Sequence, residues 1–76
     1  MQRAIVLINV APGMEEKTLA SLKDLKGVAE VYQTYGLYDL ILVVEGPDEQ
    51  SIKSTITGRL RSNPSITSTI TMKVVT

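Results

Sequence analysis

The chain predicts an α+β fold, and three observations carry that prediction. Ala4 to Val10 and Leu40 to Val44 are apolar runs of strand length, rich in β-branched residues. Met14 to about Leu25 and Asp48 to about Leu60 instead repeat their apolar residues at helical spacing among charged ones. Val10-Ala11-Pro12-Gly13 before the first helical stretch is echoed by Val44-Glu45-Gly46-Pro47 before the second, which divides the chain into two split β-α-β halves. Two such halves give a ferredoxin-like βαββαβ sandwich. Right-handed crossovers place its antiparallel strands in spatial order 4-1-3-2, with both helices on one face.

Each element has a local reason. The first strand ends at Pro12-Gly13, a turn signal. The first helix carries Leu19, Leu22 and Leu25 as one stripe, Glu15 and Glu16 in its first turn, and Lys23 and Lys26 near its last, and Gly27 is placed to end it. Val28 to Tyr35 is expected as an edge strand, with Val28, Glu30, Tyr32 and Thr34 on one face and Ala29, Val31, Gln33 and Tyr35 on the other. Gly36-Leu37 reads as a tight reversal into a third strand, Tyr38 to Glu45. Asp48 is a natural N-cap for the second helix, which buries Ile52, Ile56 and Leu60 and is weakened by Gly58. After Asn63-Pro64, Ile66 to Val75 alternates, setting Ile66, Ser68, Ile70, Met72 and Val74 against Thr67, Thr69, Thr71, Lys73 and Val75.

Composition narrows the function classes. The chain has 76 residues, eight basic against eight acidic, 43% hydrophobic content, and no cysteine, histidine, tryptophan or phenylalanine. Disulfides, zinc fingers, thiolate or imidazole nucleophiles and near-neutral imidazole switches are therefore excluded. Asp24, Glu30 and Glu45 lack calcium-loop spacing, so no metal and no cofactor is expected. A balanced charge offers no field for nucleic acid, and no apolar run approaches the roughly 18 to 20 residues of a membrane span. A cytoplasmic protein with no direct nucleic-acid or membrane partner is the resulting expectation. Lys17, Lys23, Lys26, Arg59 and Arg61 read as solvated helix charges, since acidic neighbours offset them and no Gly-rich phosphate loop accompanies them.

The two central strands are apolar on both faces, yet helices cover only one. Ile5, Leu7, Ile41 and Val43, or their neighbours Val6, Ile8, Leu40 and Leu42, would leave an apolar patch bare. A domain this small buries only about 60% of its unfolded surface alone. The expectation is an obligate oligomer whose sheets pack face to face.

The most distinctive local feature is Gly36-Leu37-Tyr38-Asp39. As a plain hairpin, Gly36 supplies a positive φ and Asp39 satisfies nearby backbone donors. As a site, main-chain N–H groups around Gly36 and Asp39 would hold a carboxylate between walls of Tyr35 and Tyr38, with Tyr32 completing a tyrosine cluster.

Gly36-Leu37-Tyr38-Asp39-Leu40 before an aliphatic strand resembles the G-x-Y-D-L element of the effector-binding domain of the Lrp/AsnC transcription regulators, the regulation-of-amino-acid-metabolism (RAM) module. The likeness runs through Pro12-Gly13, Lys26-Gly27-Val28 and Thr67-Ser68-Thr69-Ile70. It implies sheet-to-sheet dimers that assemble into octamers, an amino acid as effector, and full-length Lrp/AsnC regulators as partners. By the same resemblance Gly36, Leu37, Tyr38 and Asp39 hold the backbone end of the amino acid, with Ser68, Thr69 and Ile70 nearby; Tyr35 joins the candidate site as one of its walls, and no residue is catalytic. Tyr35 stands where many members carry a hydroxyl residue, with Thr34 one place earlier. The resemblance further implies one stand-alone ligand-binding domain over residues 1–76, without the winged helix-turn-helix of the regulators. Alternatives are an ACT-like allosteric domain or a small ferredoxin-like dimeric enzyme. An RRM-like RNA-binding face is disfavoured because the central strands carry Ile, Leu and Val in place of stacking aromatics.

Overall fold

A computed structural model describes residues 1–75. Its elements are β1 (Gln2–Val10), α1 (Glu15–Lys23), β2 (Val28–Gln33), β3 (Leu40–Gly46), α2 (Glu49–Thr55), which runs on as a π-helical turn over Ile56–Leu60, and β4 (Ile66–Lys73). The sheet order is β2-β3-β1-β4 with every pairing antiparallel, the ferredoxin-like arrangement predicted from sequence.

Alternation along the central strands sorts the core. Ala4, Val6, Ile8 and Val10 of β1 and Leu40, Leu42 and Val44 of β3 are all buried, and they meet Leu22 of α1 and Ile52, Ile56 and Leu60 of the second helical segment. Burying each such aliphatic side chain contributes about 1.5–3 kcal/mol. Leu19 and Leu25 only flank this core, whereas Thr18, absent from the predicted stripe, is buried. The Thr18 hydroxyl bonds Ser65 Oγ at 2.7 Å, and Ser65 Oγ–H donates to Asn63 Oδ1 at 2.7 Å. This chain of hydroxyls ties α1 to the turn before β4.

Helix α1 stops at Lys23, short of the expected Leu25, and Gly27 lies instead in the turn entering β2, with φ +97°. Its carbonyl accepts from the Glu45 N–H at 2.8 Å, which opens the β2–β3 ladder. Asp48 is the N-cap of α2, accepting from the Ser51 N–H at 2.8 Å and from its hydroxyl at 2.9 Å. These contacts, the main-chain one foremost, hold the Asp48 carboxyl below the usual range.

Both edge strands depart from simple alternation. A register shift between Val28 and Glu30 sends Val28 and Val31 to the helix side, opposite Val44 and Leu42, while Glu30 and Tyr32 face the other way. A second shift, between Asn9 and Val10, pairs Val10 with Ile66. Ile66 therefore joins the core, although the run of alternation puts it with Ser68, Ile70 and Met72. Bulges of this kind add one residue to one strand and reverse the facing beyond it.

The helix-free face is now explicit. One row across the four strands is Ile70, Leu7, Ile41 and Tyr32, and the next is Met72, Ile5, Val43 and Glu30. Asn9 and Ser68 close it at one end, Arg3 and Glu45 at the other, the latter two 4.0 Å apart. Ile70 and Met72 are each 45% exposed and Tyr32 51%.

Candidate functional site

The corner between β2 and β3 is wider than a tight reversal. Strand β2 ends at Gln33 and β3 begins at Leu40, so Thr34 to Asp39 form the connection. It closes where the Thr34 N–H donates to the Asp39 carbonyl at 2.9 Å and the Thr34 hydroxyl donates to the Tyr38 carbonyl at 2.7 Å. Gly36 takes φ +123°, a conformation that side chains rarely adopt, with open space where a Cβ would stand. Among the described residues the N–H groups of Gly36, Leu37 and Tyr38 make no hydrogen bond. Tyr35 and Leu37 are fully or almost fully exposed, and Tyr38 is half-buried.

Asp39 is committed to the sheet on two sides. Its N–H donates to the Ile8 carbonyl at 2.9 Å, and its Oδ2 accepts the Val10 N–H at 2.8 Å, on the β3 side of β1. The carboxylate thus satisfies a β1 donor opposite the bulge of β4 at Thr67, and the main-chain N–H of Asp39 is not available to a ligand. Among the described residues, the N–H groups of Gly36, Leu37 and Tyr38, with that of Tyr35, are left as the corner's free donors.

On the far side of β1, Ser68 lies opposite Asn9, whose amide Nδ2 donates to Ser68 Oγ at 3.2 Å. Thr69 is opposite Ile8 and Ile70 opposite Leu7. Asp39 and Thr69 therefore flank the same stretch of β1, two strand spacings or about 10 Å apart. The fold brings the corner and Ser68–Ile70 to one end of the sheet, on opposite sides of β1. Asn9 sits between them; in the sequence it reads only as a break in an apolar run. The tyrosines do not form a cluster: Tyr35 points its full surface to solvent, Tyr38 is half-buried, and Tyr32 lies on the helix-free face. There the Tyr32 hydroxyl donates to Glu30 Oε1 at 2.5 Å, and this bond to a carboxylate raises the phenol's pKa above its ordinary value. Among the described residues no three carboxylates converge as metal ligands, and no helix is long and apolar enough to cross a membrane.

A small antiparallel sheet with one uncovered apolar face and a glycine corner rich in free N–H groups defines a compact ligand-binding domain. The family model for the Lrp/AsnC ligand-binding domain matches residues 3–76, and the chain belongs to that family. Among solved structures, FFRP-DM1 is 35% identical over 99% of this chain and 100% of its own, with a TM-score of 0.94. The hypothetical protein PHS023 from Pyrococcus horikoshii is 34% identical over 100% of this chain and 92% of its own, also with a TM-score of 0.94. The transcriptional regulator NMB0573 from Neisseria meningitidis, solved as an L-Met complex, shares the fold at 16% identity, over 99% of this chain and 50% of its own, with a TM-score of 0.88. No curated protein sequence matches the chain.

Proposed function

We propose that the chain is a non-enzymatic, cytoplasmic amino-acid sensor that acts through self-assembly. Two copies pack their helix-free faces together, and dimers assemble further toward an octamer. A free amino acid binds between dimers with its carboxylate on the N–H groups of Gly36, Leu37 and Tyr38. Ser68, Thr69 and Ile70 of a neighbouring or the same copy, with Tyr35 and Asp39, complete the enclosure. Binding that differs between assembly states shifts the population of assemblies and, through co-assembly, of full-length Lrp/AsnC regulators.

The observation that carries this reading is the pairing of an uncovered two-row apolar face with unsatisfied main-chain donors at one end of the same sheet. A carboxylate answers the donors, and a second sheet answers the face. The L-Met found with the Neisseria regulator supports an amino acid as the ligand class.

Thermal unfolding against each of the twenty amino acids, with native mass spectrometry of the same samples, tests it. At least one amino acid should raise the midpoint, since a ligand at about 100 times its Kd stabilises by about 2.7 kcal/mol. The masses should be multiples of the dimer, and Leu7→Lys, which buries a charge in the sheet-to-sheet contact, should yield monomers. A wild-type monomer that responds to none of the twenty overturns the proposal.

A further inference from the structure

A cleft of about 650 Å³ lies at the opposite end of the sheet from the Gly36 corner, where β3 ends and β2 begins. It is lined by the turn residues Lys26 and Gly27, by the polar stripe Ser51, Ser54, Thr55 and Arg59, and by an apolar wall that includes Val28 and Pro47. The volume falls within the range of small-molecule sites, about 300–1,000 Å³.

Two cationic side chains are brought to this cleft by the fold. A Cβ at Gly27 would lie 2.7 Å from Thr55 Oγ1, so the turn is pressed directly against the helix. Lys26 adjoins that contact on the turn, and Arg59 lies four residues beyond Thr55, in the π-helical turn. Single π turns inside helices occur often at functional sites. Neither cation pairs with a carboxylate among the described residues, whose ion pairs are Arg3 with Glu45 and Lys73 with Glu49. Glu45 also borders the cleft, but Arg3 stands beside it.

Uncharged donors complete the set. The Lys26 and Gly27 N–H groups make no hydrogen bond among the described residues, and Gly27 has the positive φ of main-chain nests that hold anions. The Ser54 hydroxyl is likewise uncommitted, whereas those of Ser51 and Thr55 donate to Asp48 and to the Ser51 carbonyl. The sequence suggests solvated charges at Lys26 and Arg59, since acidic neighbours offset them and no Gly-rich phosphate loop accompanies them; the Gly27–Thr55 contact brings these residues, 33 positions apart, to one cleft.

We propose that this cleft binds a phosphorylated small molecule, its phosphate held by Lys26, Arg59, the Ser54 hydroxyl and the Lys26–Gly27 main chain, and its organic part against Val28 and Pro47. A phosphate monoester offers several acceptor oxygens and the charge to answer two cations at once. The site is separate from the amino-acid corner, and the proposal does not depend on that reading.

Isothermal titration of the full chain with ribose 5-phosphate, ribose and inorganic phosphate tests it. Ribose 5-phosphate should bind with a Kd of about 1 mM or tighter and ribose should not bind. Tighter binding of the ester than of inorganic phosphate assigns an organic ligand, and equal binding overturns that part. Lys26→Gln and Arg59→Gln should each weaken binding about tenfold, while Lys17→Gln, on the other helix, should not. Amide chemical-shift changes in the wild type, concentrated at Lys26, Gly27, Ser54 and Arg59, give a readout independent of variant folding. No titratable heat or shift at about 10 mM, or binding indifferent to both substitutions, overturns the proposal.

Discussion

Removing the Asp39 carboxylate separates its architectural role from any contact with a ligand. Asp39 Oδ2 accepts the N–H of Val10, a residue only 6% exposed, at 2.8 Å. In Asp39→Ala that donor loses its partner beside the register shift between β1 and β4. Leaving a buried main-chain donor unsatisfied costs about 1–3 kcal/mol. For a domain of this size each kcal/mol lowers Tm by roughly 4–8 °C, so Asp39→Ala should melt about 4–24 °C below wild type. Asp39→Asn keeps a carbonyl oxygen for the same N–H and loses only the charge-assisted part of the bond, so its cost should stay below about 1 kcal/mol. Thermal and urea unfolding at pH 7 and one fixed protein concentration measure both, the fixed concentration keeping any self-association from entering the comparison. If Asp39→Ala matches wild type, or if Asn is as damaging as Ala, the bond to Val10 does not account for Asp39. The pair also guards the ligand assays: only Asp39→Asn, folded and stable, can report on whether the carboxylate contributes to the proposed ligand binding.

Other positions make independent demands. Ser65→Ala should cost about 1–3 kcal/mol by stranding the buried Thr18 hydroxyl, and Thr18→Val combined with it should recover part of the loss; strict additivity in urea unfolding would refute the coupling. Gly27→Ala should destabilise by at least about 1–2 kcal/mol from its positive φ alone, with a further loss from the 2.7 Å approach to Thr55 Oγ1 that Thr55→Ala relieves. The Asp48 carboxyl has a lowered pKa in the folded chain, so its stabilisation is fully present above the unfolded value of 3.8 and disappears as pH falls through the folded one. Asp48→Asn should flatten that part of the stability profile, and an unchanged acid limb would contradict the capping role. Tyr32 shifts the opposite way: its pKa is raised chiefly by its hydrogen bond to Glu30, so Glu30→Gln should bring phenolate formation, followed by ultraviolet absorbance, to lower pH.

How far the sequence reaches depends on the range of the physics involved. Periods of 2.0 and 3.6 are written by neighbouring residues, so strand and helix order, the apolar centre of β1 and β3, the Asp48 cap and the positive φ of Gly36 were all legible along the chain. The central strands even announced an apolar face without a helix over it, because an uninterrupted aliphatic run must serve both sides of a sheet. Which edge residues share that face was not legible. The bulges at Ala29 and Thr67 reverse alternation through pairing with another strand, and so Ile66 turned inward while Glu30 and Tyr32 stayed outward.

The same distinction governs the candidate sites. Gly36-Leu37-Tyr38-Asp39 is contiguous, so its turn chemistry could be read directly, but Asp39's bond to Val10 spans 29 residues and belongs to the closed sheet. Thr18 stands outside the apolar stripe of its helix, and Ser65, 47 positions away, gives its hydroxyl a buried partner. Lys26 and Arg59 came to border one cleft only through the press of Gly27 on Thr55. The sequence by itself determined the elements, their order and the two-faced centre of the sheet, since local sterics and hydrophobic period suffice for those. Tertiary structure decided facing at the edges, the task of Asp39 and the cationic cleft, since each is a contact that exists only after distant segments close on one another.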